Sequence, residues 1–342
     1  MDQVAQTRLK PLHLEMLELA TGHFRAQAVC TAAALGIADL LKSGPKGVEE
    51  LGRATGAHPQ ALRRLLRALA SIGVFQQDDH GDFELTPLAT TLLSDSPDSV
   101  LNAVLLAHAP FHWNSWSQLR HAVLTGASAF EYVHGSELFD YLRRDRAAAQ
   151  VYEAWMTRLS EMQAPALVNS YDYVKFPTIV DVGGGHGALL VAILHANSSV
   201  RGVLFDLPEV LAGARLVREG GVESRCSVVA GDMFDHIPPG ESLYILKTVI
   251  HDWDDDSAVR ILRNCREAMS IDSRLLLIES IVPEGNEPHP SKFMDLNMLV
   301  LTHGGRERTA AEYRALLRAS GFELSRIIAT PSPMSLLEGI PQ

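Results

Sequence analysis

Short apolar runs alternate with helix-like segments in the second half of the chain. Five runs rich in Val, Ile and Leu follow Pro177, namely TIVDVGG, VRGVLFDLP, RCSVVAGDMF, SLYILKTVI and RLLLIESIV. Segments of helical spacing lie between them, such as ALLVAILHAN and SAVRILRNCREAM. Continuous apolar strands separated by helices are typical of a mainly parallel sheet covered on both faces. The pattern predicts an α/β domain over residues 176–342.

The first hundred residues have a helical pattern instead. AVCTAAALGIADLLKSG has apolar positions at helical spacing and ends at Gly44–Pro45. VEELGRATG and QALRRLLRALASIGVF flank a turn at Ala57–Pro59, which predicts a helix-turn-helix. VFQQDDHGDFELT then predicts a hairpin. We therefore expect a winged-helix-like domain over residues 1–100, and a helical linker over 101–175 that contributes to a substrate pocket.

Polar residues stand at the ends of three successive predicted strands. DVGGGHG places Gly183, Gly184 and Gly185 after the first strand, where the backbone can turn sharply and approach a ligand. Asp206 ends the second strand, and AGDMF places Asp232 and Met233 at the end of the third. The loop satisfies a dinucleotide fingerprint, and Asp206 lies about 20 residues on. An acid there accepts hydrogen bonds from any ribose diol, so the pattern indicates an adenosine ligand without specifying NAD.

Composition and charge exclude several classes of protein. The 30 basic and 41 acidic residues give a net charge of −11, which disfavours non-specific binding to nucleic acid or anionic membranes. Three dispersed cysteines form neither a zinc motif nor a disulfide framework. The N-terminus lacks a signal-peptide layout, and no apolar run approaches the roughly 18 residues of a membrane span. We expect a soluble, cytoplasmic protein.

The winged helix raises the alternative of DNA binding. Its second helix carries Arg63, Arg64 and Arg67. Residues 48–93, however, hold four arginines and no lysine against six acidic residues, and the wing itself is acidic. A wing that contacts DNA would meet phosphate. We therefore predict a packing or dimerisation module and no nucleic-acid partner.

The fourth strand leads into LKTVIHDWDDD. His251 and Asp252 lie just past the strand, with Trp253 as an aromatic wall. The acids of 254–256 precede a helix, whose N-terminus they would cap. A metal site would need these side chains to converge, whereas consecutive residues on a turn splay apart. We predict no metal.

Taken together, DVGGGHG, FDLP, GDMF, LKTVIHDW, IESIVP and GGRERT occur in a characteristic order. In this order and near-spacing the chain resembles class I S-adenosylmethionine-dependent O-methyltransferases of the caffeic-acid type and their bacterial small-molecule relatives. The resemblance covers nearly the whole chain. It implies a Rossmann-like methyltransferase domain, an N-terminal winged-helix-like dimerisation domain, a homodimer, and methyl transfer to an aromatic hydroxyl of a secondary metabolite.

The resemblance also implies how the cofactor is held. The glycines of 183–187 would approach its methionine end, Asp206 would bind the ribose and Leu207 would pack beside the adenosine. Asp232 and Met233 would hold the adenine. Three more residues match family positions near the cofactor, namely Lys247, Met156 and Ser160.

The chemistry itself favours His251 as a general base. A phenol has a pKa of about 10, whereas histidine titrates near 6.5, so an imidazole can take the proton as the oxygen attacks the methyl group. The imidazole needs an orienting partner on its other nitrogen. The resemblance assigns this task to Glu279 and Glu307.

The acceptor pocket is predicted more loosely. Candidate residues are Phe111, Trp113, Trp116, Met162, Asp252, Asn297, Met298 and His303. Plant relatives tend to have Asn-Pro where this chain has His303 before a glycine pair, which argues against plant-type phenylpropanoid substrates. Three alternatives remain, namely a dinucleotide oxidoreductase, a ligand-binding winged-helix regulator, and other S-adenosylmethionine chemistry on the same scaffold.

Overall fold

The computed structural model describes residues 11–342, and the first ten residues of the predicted N-terminal domain lie outside this range. The chain divides into two compact units, the first ending at Ala109 and the second spanning Pro110–Gln342. The three-part division at residues 100 and 175 stays a prediction.

The first unit has the predicted winged-helix order. Its elements are α1 (Leu12–Ala20), α2 (Gly22–Ala34), α3 (Ile37–Leu41), α4 (Val48–Thr55), α5 (Pro59–Ala70), β1 (Phe75–Gln77), β2 (Phe83–Leu85) and α6 (Leu101–His108). α4 and α5 form the helix-turn-helix, and β1 and β2 pair antiparallel as the wing. The helix predicted to end at Gly44 is instead two helices, because Gly36 adopts a left-handed φ of 66° between α2 and α3.

The apolar faces of these elements form one core, which includes Leu51, Leu66 and Phe83. α1, in contrast, buries none of its residues. Leu12, Met16, Leu17 and Leu19 are all largely exposed on this helix, and Phe24 is exposed on α2. The first unit therefore presents an apolar surface that its own core does not cover.

The second unit begins with helices and continues as an α/β domain. Its helices are α7 (Pro110–Trp116), α8 (Leu119–Thr125), α9 (Ala129–His134), α10 (Leu138–Arg144), α11 (Arg146–Asn169), α12 (Ala188–Ala196), α13 (Pro208–Leu211), α14 (Leu216–Glu219), α15 (Asp255–Ala268), α16 (Ser291–Leu301) and α17 (Ala310–Ala319). Its strands are β3 (Thr178–Val182), β4 (Arg201–Asp206), β5 (Cys226–Ala230), β6 (Leu243–Lys247), β7 (Arg274–Ser280), β8 (Phe322–Ala329) and β9 (Met334–Pro341).

The strands form a seven-stranded sheet in the order β5-β4-β3-β6-β7-β9-β8. The first five strands are the predicted ones and pair in parallel, whereas β8 and β9, which were not predicted, complete the sheet antiparallel. Alternate residues face opposite sides, so Ile179 packs in the core cluster with α12, and Val180 in the cluster with α15 and α17. The strand order reverses beside β3, the point at which such sheets bind ligands. The predicted fold class is confirmed.

Within residues 11–342, no helix combines the length and the apolar character that crossing a membrane requires.

Candidate active site

A cleft of about 300 Å³ lies at the carboxyl ends of β3, β4, β5 and β6. The predicted residues Gly183–Gly185, Asp206, Leu207, Asp232, Met233 and Lys247 line it. α11 contributes Met156 and Ser160, also predicted, together with Tyr152, Glu153 and Thr157, which were not. These α11 positions follow the 3.6-residue helical period, which was the only sequence signal that could have indicated them.

The glycine loop has backbone geometry that other residues adopt poorly. Gly183, Gly185 and Gly187 have φ values of 67°, 59° and 83°. A Cβ atom on Gly184 would lie 2.6 Å from Leu204 Cδ1 and 2.7 Å from Asp181 Cγ. A Cβ on Gly185 would meet no heavy atom within 4 Å. The loop therefore packs tightly on the strand beneath it and is open on the other side.

Asp206 is fixed by the loop that it faces. Its Oδ2 accepts a hydrogen bond from the Gly185 amide at 2.8 Å, and its Oδ1 accepts from the Leu207 amide at 2.7 Å. Burial raises the pKa of Asp206, and these two amide donors oppose the increase. Each oxygen retains a lone pair, so the carboxylate can accept hydrogen bonds from two ligand hydroxyls.

Aromatic rings enclose the cleft near Met233. Trp253 stands edge-on to Phe234 at a centroid distance of 4.7 Å and stacks on Phe139 at 5.6 Å. Asp232 accepts a hydrogen bond from the Phe234 amide at 2.8 Å, so one of its oxygens is already engaged. This end of the cleft offers an apolar wall with one carboxylate, which suits a planar polar heterocycle.

The cleft is also lined by two buried side chains of opposite charge, Lys247 and Asp181. Lys247 Nζ donates to Ser160 Oγ at 3.2 Å, which links β6 to α11. Burial lowers the pKa of Lys247 to about 8 and raises that of Asp181 to about 7, although each charge opposes the shift of the other. Asp181 lines the cleft and was missed in the sequence, because it lies within an apolar strand.

A strained turn carries the chain from β6 to His251. Thr248 adopts a φ of 51°, which is costly for a β-branched residue. Oε1 of Glu279 accepts hydrogen bonds from the amides of Val249 and Ile250 at 3.2 and 2.9 Å. Arg308, fully buried, donates to the Ile250 and Trp253 carbonyls at 3.0 and 2.8 Å. The backbone of the turn before and after His251 is therefore fixed by two buried side chains, Glu279 at its amides and Arg308 at its carbonyls.

The structure brings His251, Glu279 and Glu307 together. Nδ1 of His251 lies 2.8 Å from Glu307 Oε1 and 3.8 Å from Glu279 Oε2. On the other side of the ring, Nε2 lies 3.6 Å from Asp252 Oδ1. His251, Glu279 and Glu307 are buried, whereas the side chain of Asp252 is still 11% exposed. The ring therefore has Nδ1 toward the two buried glutamates and Nε2 toward the partly exposed Asp252.

These carboxylates determine the protonation of the ring. Burial by itself lowers the pKa of His251, but Asp252, Glu279 and Glu307 outweigh it and raise the pKa to about 10. Burial raises the pKa of Glu279 to about 7 and that of Asp252 to about 6, against the opposing effect of the imidazolium. The cluster therefore favours the protonated form of His251.

His251, Glu279 and Glu307 also present three potential metal-ligand atoms within 4.8 Å of one another. Glu307 occupies Nδ1 of the imidazole, so an ion would have to replace that hydrogen bond. The first two acids after Trp253 have other partners. Asp254 caps α15 through the Ser257 amide at 2.8 Å, and Asp255 binds Arg308 at 2.8 Å. The absence of a metal stays a prediction.

The predicted acceptor residues lie in different environments, and their role stays a prediction. Trp116 Nε1 donates to Asn297 Oδ1 at 2.9 Å, which joins α7 to α16, and His112, which was not predicted, also hydrogen-bonds Asn297. Phe111 is buried against Phe130. Trp113 is half-buried and Met298 is buried.

Two of the acceptor candidates face solvent. Met162 is exposed on α11, and the exposed side chain of His303 pairs with Glu131 at 2.9 Å. Of the acceptor candidates, Asp252 alone is among the residues that line the cleft in the described part of the chain. In the sequence, helical spacing and side-chain type did not show which of these candidates line the cleft and which face solvent.

Family models match both parts of the chain. One, described as an O-methyltransferase domain, matches residues 116–323, which is more than half of the chain. Another, described as an O-methyltransferase dimerisation domain, matches residues 17–95. The chain belongs to the O-methyltransferase family.

Relatives extend this methyltransferase assignment. The methyltransferase is 43% identical to a phenazine O-methyltransferase of Lysobacter antibioticus over 97% of each chain. It is 34% identical to a phenazine-1-carboxylate N-methyltransferase of Pseudomonas aeruginosa, over 92% of this chain and 93% of the relative.

Among solved structures it resembles an O-methyltransferase from neocarzinostatin biosynthesis, in complex with S-adenosylmethionine and 2-hydroxy-5-methyl naphthoic acid. The TM-score is 0.82 at 32% identity, over 93% of this chain and 96% of that chain. The protein is an S-adenosylmethionine-dependent O-methyltransferase of the secondary-metabolite type, so the predicted family and cofactor are confirmed.

Proposed function

We propose that this methyltransferase methylates a hydroxyl group of an aromatic small molecule, with His251 as the general base. The observation that carries the proposal is the short contact between His251 Nδ1 and Glu307. In the neutral ring this contact keeps the proton on Nδ1, and Nε2 is then the nitrogen that can receive the hydroxyl proton. Bound S-adenosylmethionine supplies a methyl group on a good leaving group, so removal of the hydroxyl proton is the step left to a protein side chain.

The cleft fits the cofactor in shape and polarity. Asp206 has two free lone pairs for the ribose hydroxyls, and the open side of Gly185 admits a close approach of the ligand. Met233 and Asp232 suit the adenine. Lys247 and Asp181 offer opposite charges, which suit the two charged groups of an amino acid.

Catalysis by the protein then consists of orientation and proton transfer. Glu307 holds the imidazole by Nδ1, and Glu279 anchors the turn through the amides of Val249 and Ile250. Nε2 takes the hydroxyl proton as the oxygen attacks the methyl group, and the carboxylates stabilise the imidazolium that forms. Glu279 and Glu307 thus act by positioning and charge.

Two observations support an aromatic acceptor. Trp116 and Asn297 join α7 to α16, and the structural relative from neocarzinostatin biosynthesis was solved with a hydroxynaphthoic acid. One relative favours a second candidate, methylation of an aromatic amine, because the Pseudomonas aeruginosa protein is named an N-methyltransferase. A neutral aromatic amine would also need a base for the proton that it loses.

The dimerisation domain suggests a homodimer. The exposed apolar residues of α1 support a partner that is a second copy of the chain. Cytoplasmic location and the absence of a nucleic-acid partner stay predictions.

Calorimetry tests the cofactor half of this proposal. S-adenosylhomocysteine should bind the purified protein, whereas NAD and NADP should not. A panel of phenols and aromatic amines, incubated with S-adenosylmethionine, then tests the acceptor. Methylated phenols support the proposal, and methylation of amines alone would replace it with the second candidate.

A further inference from the structure

Asp252 differs from the other two carboxylates that surround His251. It lines the cofactor cleft and also lies 3.6 Å from Nε2 of the imidazole. Glu279 and Glu307 lie on the Nδ1 side and are not among the residues that line the cleft. Within residues 11–342, therefore, Asp252 is the carboxylate that contacts both the proposed base and the cofactor site.

This position poses a problem for the base. A general base needs a free lone pair, yet the three carboxylates favour a proton on the ring of His251. The remaining titratable or charged groups that face this cluster are Lys247 on β6, Tyr152 on α11, Asp295 on α16, Arg308 before α17 and Tyr313 on α17. None of them contacts Nε2 in the hydrogen bonds and ion pairs of the described residues.

We propose that Asp252 couples the charge of the bound cofactor to the protonation state of His251, so that S-adenosylmethionine converts the imidazole to its neutral, basic form. The inference rests on the proposed function. A sulfonium cation bound in the cleft would attract the Asp252 carboxylate, so Asp252 would stabilise the Nε2 proton of His251 less strongly. Charges in a buried site interact strongly enough for one unit of charge to displace a proton.

The same coupling balances the charges of the reaction. Before transfer, the cation near Asp252 would be the sulfonium, while His251 is neutral and the acceptor hydroxyl holds its proton. The C–S bond breaks with its electron pair left on sulfur, the O–C bond forms, and the hydroxyl proton moves to Nε2. Afterwards the sulfur is a neutral thioether and the cation is the imidazolium. Asp252 therefore faces one positive charge before and after the methyl transfer.

Proton release on ligand binding tests this directly. Full-length protein is titrated with S-adenosylmethionine and, separately, with S-adenosylhomocysteine in two buffers of different protonation enthalpy, at a pH of about 8, where a free histidine is already neutral. When the cationic cofactor binds, His251 should release up to about one proton per site. When the neutral product binds, it should release almost none. Equal release by the two ligands would overturn the proposal.

Three variants identify the source of the proton. Asp252→Asn should bind S-adenosylhomocysteine, which shows that it is folded, and should lose most of the difference between the two ligands. His251→Gln should lose the difference completely. If the difference persists in His251→Gln, the proton comes from another group in the cleft, such as Lys247, and the proposal is wrong. Glu209→Gln, which alters a cleft carboxylate outside the His251 cluster, should retain the difference.

If Asp252→Asn does not fold, a measurement on the unmodified protein still tests the proposal. The ¹⁵N shifts of the His251 ring should be those of a neutral imidazole with S-adenosylmethionine and those of an imidazolium with S-adenosylhomocysteine. The same protonation state in both complexes would refute the coupling. If neither ligand binds, the proposed function fails instead.

Discussion

His251 Nδ1 lies 2.8 Å from Oε1 of Glu307, 56 residues further along the chain, and both side chains are buried. The contact fixes the orientation of the imidazole and directs Nε2 toward Asp252. It is the geometric basis for treating His251 as the base, and the first two predictions test it.

Replacing His251 should affect turnover and spare cofactor binding. His251→Gln removes the proton acceptor, so kcat should fall roughly 10²–10⁴-fold. Its affinity for S-adenosylhomocysteine should stay within a few-fold of the parent. His195→Gln is the matched control, because its exposed ring bonds the Gly220 carbonyl away from the cleft. Steady-state kinetics that show an unchanged kcat would remove His251 from the mechanism.

Glu307→Gln should lower the pKa of His251, because one of the carboxylates that stabilise the imidazolium is lost. A raised folded-state pKa means that His251 contributes stability below about 6.5, its unfolded value, and that this contribution is lost as the pH rises toward about 10. In Glu307→Gln, this contribution to stability should be lost at a lower pH than in the parent protein, because the folded-state pKa of His251 is lower. NMR titration of the His251 ring measures its pKa in the parent and in Glu307→Gln. The same titration midpoint in both proteins would contradict the electrostatic account.

Asp206→Asn should weaken cofactor binding with less effect on the base. Asn cannot accept two charge-assisted hydrogen bonds from hydroxyls, a loss of about 1.5–3 kcal/mol, or roughly 10- to 150-fold in affinity. Calorimetry with S-adenosylhomocysteine measures the loss. Asp235→Asn, at an exposed site, serves as the control. Full affinity in Asp206→Asn would disprove its assignment to the ribose.

Gly184→Ala should destabilise the second unit, since its new Cβ would lie 2.6 Å from Leu204 and 2.7 Å from Asp181. Overpacking of this kind typically costs about 1–3 kcal/mol. Gly22→Ala is the control, because a Cβ there meets nothing within 4 Å. Denaturant unfolding compares the two variants, and equal stabilities would show that the loop accommodates a side chain.

The exposed face of α1 predicts where a second copy binds. Leu19→Glu places a charge among the exposed apolar residues Leu12, Met16 and Leu17, and should shift the protein toward monomer in sedimentation experiments. Ile271→Glu changes another largely exposed apolar residue, in the other unit, and should leave the dimer intact. Dimers that persist in Leu19→Glu would exclude α1 from the interface.

Local pattern was enough to predict the parts of the fold that depend on short stretches. The five parallel strands and the glycine loop each have a contiguous signal, so the cleft could be anticipated from Gly183, Asp206 and Asp232. Asp181 was missed because it lies inside an apolar strand, where the sequence gives no sign of a functional role. Its role depends on the charge of Lys247, which comes from a different strand. The raised pKa of His251 depends in the same way on tertiary contacts.

The acceptor side was the least predictable part. Trp116 and Asn297 lie 181 residues apart and meet only through the packing of α7 on α16. His303 has the residue type of a ligand contact, yet it faces solvent beside Glu131. Residue type alone does not fix the direction of a side chain, and that direction depends on contacts that one sequence does not display.

The most direct test of the central claim follows the methyl group itself. The protein is incubated with S-adenosylmethionine carrying a ¹³C-labelled methyl group and an aromatic acceptor that has both a hydroxyl and an amino group, and the product is examined by NMR. The account predicts a label on oxygen for the parent enzyme and almost none for His251→Gln. A label on nitrogen, or undiminished O-methylation by His251→Gln, would contradict it.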